Sequence, residues 1–171
     1  MFDRYENRPA FTVTGRSIET SQVDGAAFRA IPEFWASCHT EGLGAALDAL
    51  APEKPFLGVC YGMDTSGTFR YMIAKEAPAT APYESLQIPA ATWAVFVSRG
   101  PMPEAIQTVW QKEVGPFLSR SDITVLGYPD LEVYPCGDTT ADDFGDRHPK
   151  RCPGGSAWSI RYDDRGGAQA D

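Results

Sequence analysis

Apolar and polar positions alternate from residue 10 to residue 20 (AFTVTGRSIET), and β-branched side chains crowd the stretch, which predicts a strand. Over residues 24–50 the apolar positions fall at helical spacing, broken by Pro32, Gly42 and Gly44. Pro32 either kinks this helix or sits in its first turn. Two strand-like runs follow, at 56–63 and 68–75, and Asp64-Thr65-Ser66-Gly67 between them has the composition of a hairpin turn. Residues 76–89 (EAPATAPYESLQIP) hold three prolines and read as a joint. Beyond it the same order returns: a strand at 90–98, a helix at 103–119 with Pro103 in its first turn, and a strand that opens either at 131–134 or as early as Ile123. A stretch at 137–155 rich in Gly, Asp and Pro leads to a last strand at 157–162. The remainder, 163–171, has nothing to bury and reads as a loose tail.

The two halves share a register. Ala30-Ile31 precedes Trp35 in the first helix as Ala105-Ile106 precedes Trp110 in the second, an offset of 75. Carried forward, that offset lays Phe56-Leu57-Gly58-Val59 on Leu131-Glu132-Val133-Tyr134. The expected architecture is a single α+β domain over 1–171, built from a duplicated strand–helix–strand–strand module. The first repeat spans 10–75, the joint 76–89 and the second repeat 90–162. Two such units side by side give a pseudo-twofold antiparallel sheet with helices on one face and a central cleft, where side chains of both halves converge.

Composition narrows the possibilities further. The chain is 43% hydrophobic and 22% charged, which is globular and excludes disordered and fibrous classes. Its net charge of −8 and lack of any Lys/Arg cluster argue against direct nucleic-acid binding. No apolar run reaches membrane-spanning length, and Met1-Phe2-Asp3-Arg4-Tyr5 lacks the features of a signal peptide, so the cytoplasm is the expected compartment. Cysteines 38, 60, 136 and 152 form no Cys-x-x-Cys pair and are expected as reduced thiols, two of them in core strands. His39 beside Cys38 and His148 near Cys152 read as scattered loop residues. Asp138, Asp142, Asp143 and Asp146 lack the spacing of a calcium loop, so no metal site and no cofactor is expected. Nucleophile elbows, phosphate-binding loops and dinucleotide glycine patterns are missing from the sequence, and two histidines give a nucleophilic triad little material. Asp64 reads as a turn residue.

Glu132 is the most informative candidate. Alternation sends Leu131 and Val133 to one face and Glu132 with Tyr134 to the other. If Leu131 and Val133 face the helices, Glu132 and Tyr134 face outward or into the groove. Glu132 is then either a solvated strand carboxylate or a partly buried one among aromatics. In the second case it attracts a cation or, with a raised pKa, serves as general acid or base. Tyr61, Tyr71, Trp93, Tyr134 and Trp158 lie on strands, and Trp35 and Trp110 on matching helix positions. Strand aromatics are core residues or, gathered at one groove, stacking partners for flat or cationic ligands. Trp35 and Trp110 are expected to anchor helix to sheet, and Trp93 and Trp158 to line the pocket.

Several of these segments resemble one family. Ile88-Pro-Ala-Ala-Thr-Trp-Ala-Val-Phe96 followed by Ala105-Ile106 and Trp110, then Leu131-Glu-Val-Tyr134, with Gly67-Thr-Phe-Arg-Tyr71 in the first half, is similar to the core signature of the GyrI-like small-molecule-binding domains. These include the effector-binding domains of bacterial multidrug-responsive transcription activators. The resemblance runs from about residue 8 to residue 162. It implies a central aromatic cleft for bulky hydrophobic, often cationic or planar, molecules, with a glutamate at its floor. That glutamate maps onto Glu132, and the family's strand aromatic onto Trp93, where Tyr is more usual. Some stand-alone members are implied to be hydrolases that open strained cyclopropane rings, and others to bind protein partners such as gyrase.

The end of the chain departs from the family pattern. Ser156-Ala157-Trp158-Ser159-Ile160-Arg161 lacks the acidic residue usual two before the strand Trp, and the insertion at 137–155 could cover or reshape the cleft. The module is expected to take up residues 1–171, which leaves no room among them for a helix-turn-helix. The expected function is therefore stand-alone sensing or sequestration of hydrophobic, cationic or planar small molecules through Glu132, Trp93, Tyr134, Tyr71, Trp158 and Tyr61. One alternative is a cyclopropane-type hydrolase using Glu132 with Tyr71 or Tyr134. Another is an inhibitor that uses its acidic surface against a protein partner such as gyrase.

Overall fold

A computed structural model describes residues 1–98, 104–121, 124–127, 129–134 and 156–163, the last segment and residue 106 by backbone only. The expectations for 137–155, for the tail beyond Asp163, and for Cys136, Cys152, His148 and the four aspartates lie outside the described residues. Among the described elements, strands β1 (Phe2–Arg8) and β2 (Phe11–Ser21) come first, followed by helices α1 (Ala26–Thr40) and α2 (Leu43–Leu50). Then come β3 (Phe56–Tyr61), β4 (Thr68–Glu76), β5 (Glu84–Ile88) and β6 (Ala91–Ser98). The second helical segment is α3 (Glu104–Val109), a π turn (Trp110–Val114) and α4 (Gly115–Leu118). Strands β7 (Thr124–Val125), β8 (Asp130–Tyr134) and β9 (Ser156–Asp163) complete the order.

The strands form one antiparallel sheet in the order β1-β6-β9-β8-β3-β4-β2-β5, with β7 beside β9. Each half places its helical segment between its first and second inner strands, and β3 meets β8 at the seam. The outer strands are exchanged. β1 precedes β2 in the chain but pairs with β6, whereas β5 precedes β6 but pairs with β2. The joint at 76–89 is therefore not merely a connection, because its last residues extend the sheet as β5. Pro32 lies well inside α1, past its first turn. At the end of α1, Glu41 donates its N–H to the Ser37 carbonyl and Gly42 donates to that of His39, and Gly42, at φ 76°, turns the chain into α2.

Period-two alternation sorts the side chains between two buried faces. On one face Phe56, Cys60, Phe69, Tyr71 and Ile73 pack under Phe34 and Cys38 of α1 and Leu43 and Leu47 of α2. Across the seam, Ala94 and Phe96 pack under Val109, Val114 and Phe117. The other face carries Val13, Leu57, Val59, Met72, Trp93, Val95 and Leu131, buried with no described helix against them. Cys60 is thus a strand residue and Cys38 a helix residue, both buried free thiols.

Register also revises the repeat. Phe56 opens β3 and Asp130 opens β8, an offset of 74. Along these strands Gly58 therefore corresponds to Glu132, and the same two residues are directly paired across the seam. An offset of 75 would lay Phe56, which faces the helices, on Leu131, which faces away. One residue is lost between helix and strand in the second copy. The matched tryptophans on the helices could not reveal it.

Candidate functional site

Glu132 stands on β8 at the seam, on the helix side of the sheet, and is only 8% exposed. Leu131 and Val133 point to the helix-free face, so the pairing of Glu132 with Tyr134 holds and the side they occupy is the helical one. The Glu132 carboxylate accepts two hydrogen bonds, both on Oε2. The Tyr71 hydroxyl donates one at 2.5 Å and the Tyr134 hydroxyl the other at 2.9 Å. Behind them the Trp35 indole N–H donates to the Tyr71 hydroxyl at 3.0 Å. Trp35 also sets its ring edge-on to Tyr134, with centroids 5.0 Å apart, and to Phe56 at 6.2 Å.

The backbone makes room for this cluster at one residue. Gly58 is the direct cross-strand partner of Glu132, and a Cβ there would fall 2.1 Å from the Tyr71 hydroxyl and 2.6 Å from Glu132 Oε2. Any side chain would displace both groups. Tyr134 packs against the cluster under α1 and α2 and against the one under α3 and α4, so it bridges the two halves.

Burial dominates the electrostatics here. Desolvation pushes the Glu132 carboxyl above its ordinary range, and the hydroxyl bonds from Tyr71 and Tyr134 pull it partly back. Burial, followed by the negative charge of Glu132, holds both tyrosine hydroxyls protonated well past their ordinary value. The Cys60 thiol is driven up by burial and then by Glu132 and Asp130, which keeps it unreactive. The arrangement is a buried acceptor ringed by aromatic faces and two neutral hydroxyl donors. Among the described residues no group of three or more His, Cys, Asp and Glu could hold a metal.

Of the residues singled out from sequence, Glu132, Tyr71 and Tyr134 come together. Trp93 does not join them. It is 1% exposed on the helix-free face, packed with Val13, Met72 and Val95, and its indole N–H has no partner among the described residues. Tyr61 also packs against that face, and its hydroxyl accepts from Arg70. The Trp158 side chain lies outside the described residues, while its backbone is the register partner of Glu132 on β9. Sequence reasoning missed Gly58 as a site residue and gave Trp35 only an anchoring role. The signal for Gly58 was a glycine in the middle of an apolar strand, which marks a close approach.

A duplicated antiparallel sheet with helices on one face and a buried carboxylate at its seam has the build of a small-molecule effector-binding domain. The chain belongs to the family of integron-associated effector binding proteins, whose pattern residues 4–150 match. It is 28% identical over 113 residues to the Bacillus subtilis protein YobU, which bears the name of a transcriptional regulator; the match covers 62% of this chain and 69% of YobU. Its fold is similar to that of SAV2435 bound to tetraphenylphosphonium, with a TM-score of 0.76 and 23% identity over 95% of this chain and 94% of the other. An integron cassette protein of Vibrio cholerae shares the fold at a TM-score of 0.66 and 16% identity, over 94% and 95% of the two chains. No described helix is long and apolar enough to cross a membrane.

Proposed function

We propose that this chain binds bulky hydrophobic cations on the helix side of the β3/β8 seam. Aromatic rings there stack on the ligand, and Glu132 offsets its charge. The observation that carries this reading is the Glu132 carboxylate itself, buried among Trp35, Tyr71 and Tyr134 and accepting no hydrogen bond from a basic group among the described residues. A buried carboxylate with no cation is costly, and a ligand cation removes part of that cost. Ring faces add attraction for the same charge. The tetraphenylphosphonium carried by the structurally similar SAV2435 supports the ligand class.

Titration with tetraphenylphosphonium and with neutral triphenylmethanol, followed by calorimetry and by tryptophan fluorescence, tests this. The wild type is expected to bind the cation saturably. Glu132→Gln is expected to weaken the cation about tenfold, close to 1.4 kcal/mol, and the neutral compound little. Equal effects on both ligands, or no saturable binding by either method, would defeat the proposal.

A further inference from the structure

The two ends of the sheet occupy the same place in the two halves. β1 pairs with β6 and β2 with β5 in a single register, Arg8 opposite Ala91 and Phe11 opposite Ile88, so one strand pair runs on into the other across Pro9-Ala10 and Pro89-Ala90. An offset of 80 lays Arg8 on Ile88 and Phe11 on Ala91, and the same step lays Arg4 on Glu84. β1 and β5 are therefore equivalent edges, and among the described strands each ends the sheet order.

The two edges are finished differently. β5 turns its polar groups inward onto β2: Glu84 accepts from the Ser17 N–H and hydroxyl, and Gln87 accepts from the Thr12 hydroxyl. β1 keeps its charges along its own strand, where Arg4 bonds Asp3 and, at 2.6 Å, Glu6. Residues 1–5 are all exposed, the Phe2 side chain by 37% and Tyr5 by 43%. An exposed edge that carries aromatic residues is a template for a further strand.

Charge decides which strand fits. Arg4 and Glu6 stand opposite Val95 and Trp93, on the helix-free face. The register shift between Phe2 and Arg4 brings Phe2 and Tyr5 together on the helix side, opposite Phe96 and Ala94. A second copy laid antiparallel along β1 about a twofold axis presents the same face on each side, and residues opposite one another share a face. The axis must then pass through a residue, not between two. Through Arg4 or through Glu6 it sets like charges against each other. Through Tyr5 it sets Arg4 of each copy opposite Glu6 of the other, in a square of four alternating charges with the two Tyr5 rings side by side.

We infer that β1 is the docking edge for a second copy of this chain, which joins antiparallel about Tyr5 and continues the sheet from one protomer into the other. Charge guards an edge strand against unmatched sequences and does not guard this one against itself. The contact is a single strand pair, at the small end of interface sizes, so the dimer is weak, with a Kd on the order of 100 μM.

Sedimentation equilibrium of the full chain, from low micromolar to near-millimolar concentration, tests this. The wild type is expected to rise reversibly towards twice the monomer mass. Arg4→Glu and Glu6→Arg each set like charges across the axis and are expected to weaken association at least about tenfold. Both side chains are solvent-exposed, and melting temperatures verify that the variants are folded. The double exchange Arg4→Glu with Glu6→Arg restores opposite charges and is expected to restore the dimer. An equimolar mixture of the two single variants is expected to dimerise although neither does so alone, which no loss of folding can imitate. A wild type that stays monomeric over the whole range overturns the inference. So does a dimer that the single exchanges leave intact, or a mixture of the two that stays monomeric.

Discussion

At the scale of single residues, Gly58 and Glu132 are one feature seen from two strands. The carboxylate is affordable in the sheet because its cross-strand neighbour has no side chain and two hydroxyls occupy the space instead. Gly58→Ala is expected to push Tyr71 and Glu132 apart, costing about 1–3 kcal/mol of stability and weakening ligand binding more than tenfold. Thermal melts and cation titration of the variant check this, and a variant with wild-type affinity would show that the Oε2 network is not needed. The alternation of 131–134 made Glu132 and Tyr134 legible in the sequence as one face. Trp93 lies on the opposite face from Glu132, which alternation alone does not reveal. Both faces of this sheet are apolar and buried, so alternation separates Trp93 from Ala94 without telling which of them looks toward the helices.

At the scale of elements, the strands that alternate strongly and the helices with apolar stripes were readable, and the outer strands were not. β1 (FDRYENR) is mostly exposed and charged, as an edge strand must be, so its composition hides it. β5 hides among prolines in what reads as a joint. Both owe their strand conformation to the neighbour they pair with. β1 also places Phe2 against Phe96 and Phe117, with ring centroids 5.6 and 6.1 Å apart. Removal of residues 1–8 is expected to lower the melting temperature by about 5 °C or more and to raise amide exchange in β6 above that in β3. Unchanged protection of β6 would mean that β1 adds no stability. The π turn at Trp110–Val114 had no signal in the apolar spacing, which fits a plain helix equally well.

At the scale of the whole molecule, the buried carboxylate couples stability to pH. The native Glu132 carboxyl is raised above its ordinary value of 4.5, chiefly by burial. Between that value and the native one the folded chain holds a proton that the unfolded chain has released. Stability from this group therefore falls as pH rises through that window, then levels off. Denaturant unfolding of wild type and Glu132→Gln across the window is expected to show the difference between them changing in the variant's favour as pH rises. A pH-independent difference would mean that Glu132 titrates alike in both states. The family resemblance, carried by ordered motifs over most of the chain, had already indicated the α+β architecture. The exact step of the repeat needed the strand pairing, because helix and strand copies differ by one residue.

That step has a consequence for how many ligands one chain can hold. A molecule made of two similar halves would ordinarily offer two equivalent binding places. Here the halves turn onto each other about a point between Gly58 and Glu132, and that point is where the carboxylate lies. On the binding reading proposed above, the two would-be sites merge into one, because only one of the corresponding positions carries a side chain. The expected stoichiometry is then one ligand per chain, with one copy contributing the charge and the other the space it occupies.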